Sequence, residues 1–376
     1  MDSTTTPPSS PLLYQPSFEH AEDGEADTEA GLLDTLTKIS EITFKDSGHA
    51  TRSVHAKSHG LLRGELRVLD GLPPELAQGI FSQAGSWPVA MRFSTVPGDM
   101  LDDAVSTPRG LAIKVVGVDG ERLAGSEDEV TQDFILVNGG STFLSPGAKK
   151  FLGSLKLLAS TTDKAPGLKK ALSAVLQGTE KALEAVGSES PTIIGLGGHP
   201  ETNILGETFF TKVPILFGIY MAKLSVVPVS EGLKQLTNAK VDLTNRPNGL
   251  REAVIDFFSS NKADGEVAEW ELSVQLCTNL ESMPIEDASV AWPEEQSPYI
   301  AVARITAPSQ IAWSNERSVL IDDGMSFSPW HGIKAHRPLG SIMRIRKAAY
   351  EMSSKFRAQH NGLKIVEPHN LDHFPD

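Results

Sequence analysis

Arg346, Tyr350 and Arg357 have residue types and a spacing that could do chemistry. They lie in the run RIRKAAYEMSSKFRAQ, Arg344 to Gln359, which holds no Pro or Gly and is rich in good helix formers. On a helix, Arg346 and Tyr350, four apart, are neighbours on one face. Arg357 lies eleven residues beyond Arg346 and returns to that face after about three turns. A guanidinium beside a tyrosine favours the phenolate, and a phenolate is a hard anionic ligand that suits ferric iron. The plain alternative is an amphipathic surface helix with a half-buried tyrosine.

Two further stretches carry chemistry. In Arg52-Ser53-Val54-His55-Ala56-Lys57, His55 could serve as a general acid/base near neutral pH, against the ordinary role of a structural or solvated histidine. In Met91-Arg92-Phe93-Ser94-Thr95-Val96, an arginine sits inside an apolar strand, which is costly unless it is paired. Arg92 is either an edge-strand residue facing water or a guanidinium aimed at a buried carboxylate. Cys277, the only cysteine, reads as a small buried apolar residue rather than a thiolate ligand. His331 and His336 are five apart with no third ligand at suitable spacing, so structural roles are expected. The run Gly195-Leu196-Gly197-Gly198-His199 lacks the helix and lysine of a phosphate loop and reads as a turn.

The elements that must position these residues belong to a chain of 376 residues, 40% hydrophobic and 22% charged, with a net charge of −14. That balance suits a globular protein and argues against a nucleic-acid binder. No apolar run reaches the ~20 residues of a membrane span, and the polar start MDSTTTPPSS is not a signal peptide, so a cytoplasmic protein is the default expectation. One cysteine excludes a disulfide framework. Residues 1–27 are rich in Ser, Thr, Pro and acids and read as a disordered or loosely draped arm, with 28–376 as one domain. A helix is expected from Thr28, and strands in 61–69, PVAMRFSTV, GLAIKVVGV, DFILV, ETFFTKVPILFG, KLSVVPV, EVAEWELSVQLC and YIAVARITA. Helices are expected in PELAQGIF, in 148–159, 167–185 and 248–260, and in a last group ending near Gly362. Hairpin-spaced strands with interspersed helices make an α+β domain around an antiparallel sheet or barrel.

The runs RSVHAKSHGLLRGELRV, MRFSTVPGD and STPRGLAIKVVGVDGE resemble the haem-binding core of the catalases in order and spacing. WPEEQSPYIAVARI and SVLIDDGMSFSPWHGI resemble later stretches of it, and Arg346-x-x-x-Tyr350 with Arg357 seven residues on resembles the family's proximal signature. SPWHGIKAHRPLGSIMRIRKAAY is similar to the small catalase-related haem proteins in particular. The resemblance covers about residues 50–140 and 290–357. It implies a catalase-like antiparallel β-barrel core with surrounding helices, binding haem b. By this resemblance Tyr350 ligates the iron and Arg346 holds it as phenolate. Arg52, Arg92 and Arg357 pair with the haem propionates, and His55 is the distal acid/base. Val54 walls the distal pocket, Ser94 lies near His55, and Phe143 packs on the haem.

The resemblance further implies a haem-dependent oxidoreductase acting on hydrogen peroxide or an organic hydroperoxide with an organic electron donor. It leaves open a homo-oligomer. Catalases carry a distal Asn, and the matching stretch Glu129–Phe134 has none, leaving Thr131 and Gln132 as polar substitutes. A peroxidase-type enzyme with weak catalase activity is therefore expected. The alternatives are rearrangement of fatty-acid hydroperoxides, as by an allene oxide synthase, and a non-catalytic haem-binding protein.

Overall fold

Alternation along the strands decides the architecture. In β2 (Ser86–Thr95), Val89, Met91 and Phe93 join the main apolar core, while Ala90, Arg92 and Ser94 take the opposite face, as a period of two demands. The computed structural model describes residues 11–159, 198–260 and 267–375. Its strands are β1 (Ser58–Val68), β2, β3 (Arg109–Val116), β4 (Thr131–Val137), β5 (Phe209–Phe210), β6 (Ile215–Phe217), β7 (Tyr220–Pro228), β8 (Ala268–Leu276) and β9 (Ile300–Ala307). They pair antiparallel in the order β5-β4-β3-β2-β1-β9-β8-β7-β6, and β5 also pairs with β7. That last pairing closes a ring of eight strands, with β6 as a short addition to β7.

The ring's interior is filled by Leu62, Met91, Phe93, Ile113, Phe134, Phe209, Leu224, Trp270, Val274 and Val302, each at most 3% exposed. Burial of one such side chain stabilises by about 1.5–3 kcal/mol. The outer face of β2, β3 and β4 is different. It presents Arg92 and Ser94, then Gly110, Ala112 and Lys114, then Asp133 and Ile135, which the register sets side by side.

Ile321, Met325, Phe327, Leu371 and Phe374 cluster on that face with Ala90, Ala112 and Ile135, and helices lie around the barrel. α1 (Glu25–Ser47), α2 (Ala148–Ala159) and α4 (Ser341–Asn361) meet through Leu32, Leu36, Ile39, Leu155, Ile345 and Ala349, while α3 (Gly249–Ser260) packs on β1. α4 ends at Gly362, whose φ of 64° lets its N–H return to Ala358 O. Among the described residues no helix is long and apolar enough to cross a membrane.

Several expectations need correction. The segment expected to be a loose arm is fastened from residue 11 onward. Leu12 N–H donates to Cys277 O and Tyr14 N–H to Ile219 O, both at 2.8 Å, and Glu19 takes bonds from Arg337 and from Gly340 N. The helix starts at Glu25 rather than Thr28, and Arg344 of α4 bonds Glu25. Composition does not show this because the arm's partners, backbone groups and cations alike, are remote in sequence. Residues 1–10, and the helix expected over 167–185, lie outside the described residues. PELAQGIF forms turns and a single 3-10 turn, Gly79–Phe81. ETFFTKVPILFG splits into β5 and β6, because Lys212 takes a left-handed φ of 60° and Pro214 has no N–H to donate.

Candidate active site

Three groups of side chains meet between the outer barrel face and α4. The first is on α4. Arg346 and Tyr350 do share a face, and Arg346 Nη2 donates to Tyr350 Oη at 2.6 Å, with the guanidinium 5.3 Å from the ring centre. This is a short, charge-assisted bond.

The second group is His55 with Ser94. His55 lies in the entry to β1, just before Ser58, and holds a left-handed φ of 56°, a rare conformation for a residue with a side chain. Its N–H donates to Val96 O at 2.7 Å, and its Nδ1 lies 3.0 Å from Ser94 Oγ. The imidazole rests on Gly110 of β3, where any Cβ would come within 2.6 Å of the ring. Burial, then the guanidiniums of Arg92, Arg346 and Arg52, push the imidazole down to about 3. His55 is therefore neutral at physiological pH, and Nε2 is the ring nitrogen not bonded to Ser94.

The third group is an arginine trio. Arg52, Arg92 and Arg357 converge on one turn of chain, the π-helical turn Val319–Asp323 and its exit to Met325. Arg92 Nε and Arg52 Nη1 donate to Asp322 Oδ1 at 2.7 and 3.3 Å. Arg52 and Arg357 reach the Asp322 carbonyl at 2.7 and 2.6 Å and the Met325 carbonyl at 3.1 and 3.2 Å. Ser58 and Ser318 donate to the other carboxylate oxygen. Burial would raise the Asp322 carboxyl, but Arg92 and Arg52 outweigh it and hold the group below the usual range. Burial, together with repulsion from Arg92, lowers Arg357 to about 10. Arg357 Nε is buried without a partner among the described residues.

Val54 packs with the cluster of Ile345, Ala349 and Met352, on the α4 side of His55. Phe143 sits elsewhere. It packs edge-on against Phe151, 5.1 Å between ring centres, in the cluster of Val213, Ala288, Ile342 and Met343 at the start of α4. A cavity of about 30 Å³, room for about one water, lies beside Arg346 and is lined by Ile135, Thr211, Val213, Pro329 and Met343 among others.

Other candidates resolve into supporting roles. Cys277 is buried with Met221, Met283 and Trp292, and burial pushes its thiol up to about 11. His336 is a core residue among Phe81, Phe134 and Phe217, and accepts from Ile80 N–H at 3.0 Å. His331 does have carboxylates near it, which nothing in their spacing along the sequence reveals. Ligand atoms of Glu129, His331 and Glu367 all lie within 4.8 Å of one another and could hold a metal ion. The ammonium of fully buried Lys114 already serves Asp133 and Glu367 there.

The residue missed in sequence is Asn138. It lies beyond the stretch Glu129–Phe134 and follows β4 directly, one residue past the Gly110 partner Val137. Its carboxamide oxygen accepts from Arg109 N–H at 2.7 Å, and its Nδ2 meets His199 Nε2 at 3.0 Å. Glu207, which lies 3.4 Å from His199, also takes a bond from Asn138. Thr131 and Gln132 face elsewhere, toward Glu367 and Ile333 N–H.

No family model and no curated protein matches the sequence. Solved structures do. A fungal catalase aligns with a TM-score of 0.57 and 16% identity over 89% of this chain and 68% of its own. A bacterial catalase gives 0.58 and 16% over 85% and 60%, and catalase A from Saccharomyces cerevisiae gives 0.57 and 15% over 100% and 77%. At this identity the likeness is one of fold. The chain has the catalase-like fold, a closed eight-stranded antiparallel barrel with helices packed around it.

Proposed function

We propose that this protein is a haem-dependent, peroxide-metabolising oxidoreductase of peroxidase type. The observation that carries the proposal is the gathering, on one outer face of the barrel, of an arginine-held tyrosine, a neutral histidine and three guanidiniums, two of them bonded to the carboxylate of Asp322 and the third to its carbonyl. The donor set suits haem b. Tyr350 Oη would hold the iron, a ligand type known for ferric haem, with Arg346 donating to that oxygen. Arg52, Arg92 and Arg357 are the forks that recognise propionates. When bound, the haem would supply the iron at which peroxide is reduced.

The chain's own part is proton handling. His55 Nε2 can take a proton from one peroxide oxygen and return it to the other, the shuttle that heterolysis of the O–O bond needs. Ser94 Oγ, on Nδ1, fixes the ring's orientation. Gly110 gives the ring its place against the barrel.

The carboxamide of Asn138 is committed to His199 and Glu207, so among the described residues it offers no donor to a second small peroxide beside His55. A missing oriented donor costs about 1–3 kcal/mol, or roughly tenfold to a hundredfold in rate. This favours one-peroxide chemistry with an organic donor over disproportionation. The test is one haem-loaded sample assayed for oxygen release from hydrogen peroxide, for donor oxidation, and for products from a fatty-acid hydroperoxide. Donor oxidation with little oxygen is expected. Failure to retain haem, or vigorous oxygen release without donor oxidation, overturns the proposal.

A further inference from the structure

The arginine trio is occupied by the chain itself. Apart from the bond from Arg92 Nη2 to Ala56 O, the hydrogen bonds described for Arg52, Arg92 and Arg357 all end on one turn. They reach the carbonyls of Ile321, Asp322, Asp323 and Met325 and the Asp322 carboxylate. The balance is poor. One carboxylate faces three guanidiniums, two of them on side chains 2% exposed as whole residues. Asp323, the next acid, is turned to His49 at 2.9 Å. Arg357 Nε is left with no acceptor among the described residues. Burial and the repulsion of Arg92 and Arg357 depress Arg52 well below the usual arginine range, the mark of a cluster short of negative charge.

The turn that fills the trio is itself a poor helix. Val319–Asp323 is a single π-helical turn, a form found mainly as isolated turns and often at functional sites. It is gripped on one side by the arginines. On the other side lies the C-terminal tail, where Val366 N–H donates to Gly324 O at 3.0 Å and Leu371 and Phe374 pack in the cluster of Ile321 and Met325. A carboxylate ligand forked to Arg52 or Arg357 needs the Nη donors that the turn now holds, and both cannot have them.

We propose that Val319–Met325 is a displaceable plug, in which Asp322 keeps the seat of a ligand carboxylate until a dicarboxylate porphyrin drives the turn out of the trio. This rests on the haem reading above and deepens it by naming the residue against which the ligand competes. The plug gives the three guanidiniums hydrogen-bond partners and one counter-charge in the ligand-free chain, and weakens binding by the cost of its release.

The ligand-free chain is titrated with haemin and, separately, with its dimethyl ester, which lacks the carboxylates. Hydrogen exchange is followed over 319–325 and at Val366. Haemin should lower protection in both stretches, and the ester should bind at least about tenfold more weakly and leave protection unchanged. D322N should bind haemin about tenfold tighter than the parent, while the thermal midpoint of the ligand-free variant falls. A merely structural Asp322 would lower both stability and affinity, and that outcome overturns the plug. So does unchanged or increased protection of the parent's turn on haemin binding, or an ester that binds as tightly as haemin. If the parent takes up no haemin, the haem reading falls, and the plug with it.

Discussion

Gly110 offers a way to move His55 without touching it. A methyl group there would lie 2.6 Å from both Cε1 and Nδ1 of the imidazole and 3.0 Å from Ser94 Oγ. Comfortable carbon contacts begin near 3.5 Å, so Gly110→Ala forces the ring back by about 1 Å. The backbone gives little help, because His55 is tied to Val96 O and already holds a left-handed φ. The bond to Ser94, at 3.0 Å, is what must break. Misplacing a reacting group by 1 Å costs about 10²-fold in rate, and overpacking costs about 1–3 kcal/mol of stability. The assay is rapid mixing of haem-loaded protein with peroxide, for the parent, G110A, H55A and the double variant. G110A should be about a hundredfold slower. H55A should be about 10²–10⁴-fold slower, and adding G110A to it should change nothing, since the methyl then has no ring to displace. A parent-like G110A, or a double variant much slower than H55A, would refute the argument.

Three other outcomes are expected. Tyr350→Phe keeps the ring near Arg346 but removes the oxygen, so haem should be lost on gel filtration and the tyrosinate-type spectrum should vanish; an unchanged spectrum removes Tyr350 as ligand. His55 sits near pKa 3 in the fold against 6.5 unfolded, so below pH 6.5 the unfolded chain binds the extra proton and stability falls as pH drops toward 3. The ligand-free parent should lose about 2 kcal/mol more than H55N between pH 8 and pH 5, and equal losses in urea titrations would show that His55 is not buried as a neutral ring. Glu367→Gln leaves buried Lys114 with Asp133 alone and should cost roughly 3 kcal/mol, with proteolysis of the tail beyond Gly362 accelerating; a tail as resistant as the parent's would contradict its anchoring role.

What could be read in the sequence was what local spacing controls. The pairing of Arg346 with Tyr350 follows from helical period alone, and the face that Arg92 shares with Ser94 follows from strand period. The antiparallel barrel followed from hairpin-spaced strands together with the run-by-run resemblance. Convergence from distant segments was not readable. Nothing near Asp322 in the chain announces that arginines 270, 230 and 35 residues away will meet on it. Lys114 reads as a flaw in the apolar run GLAIKVVGV until Asp133 and Glu367 are seen around it. Asn138 is hidden by register: the strand carrying Asp133 runs on to Val137, so the polar residue at its exit lies past the stretch Glu129–Phe134. Glu19 and Glu25 belong to an acid-rich stretch whose partners, Arg337 and Arg344, lie more than 300 residues away.

The ring's closure has a consequence for the order in which the chain folds. β1 to β4 form three successive antiparallel pairings, and β7 to β9 form two more, so each arc can assemble from strands near in sequence. The arcs join in only two places. One is β1 with β9, where Glu65 meets Thr306 across most of the chain and four residue pairs make the ladder. The other is β5, a two-residue strand whose single partner on β4 is Val137 and whose partners on β7 are Val226 and Ser225. Long-range closure is paid before its contacts form, which slows folding. Joining the two arcs should therefore be the late, rate-limiting event. Because Arg52 and His55 enter β1 while the turn bearing Asp322 follows β9, the β1–β9 seam is also what first brings the two halves of the arginine cluster together. Substitutions at Leu66 and Ile305, paired across that seam, should slow refolding more than equally destabilising ones inside either arc, where the ladder is already made when the ring shuts.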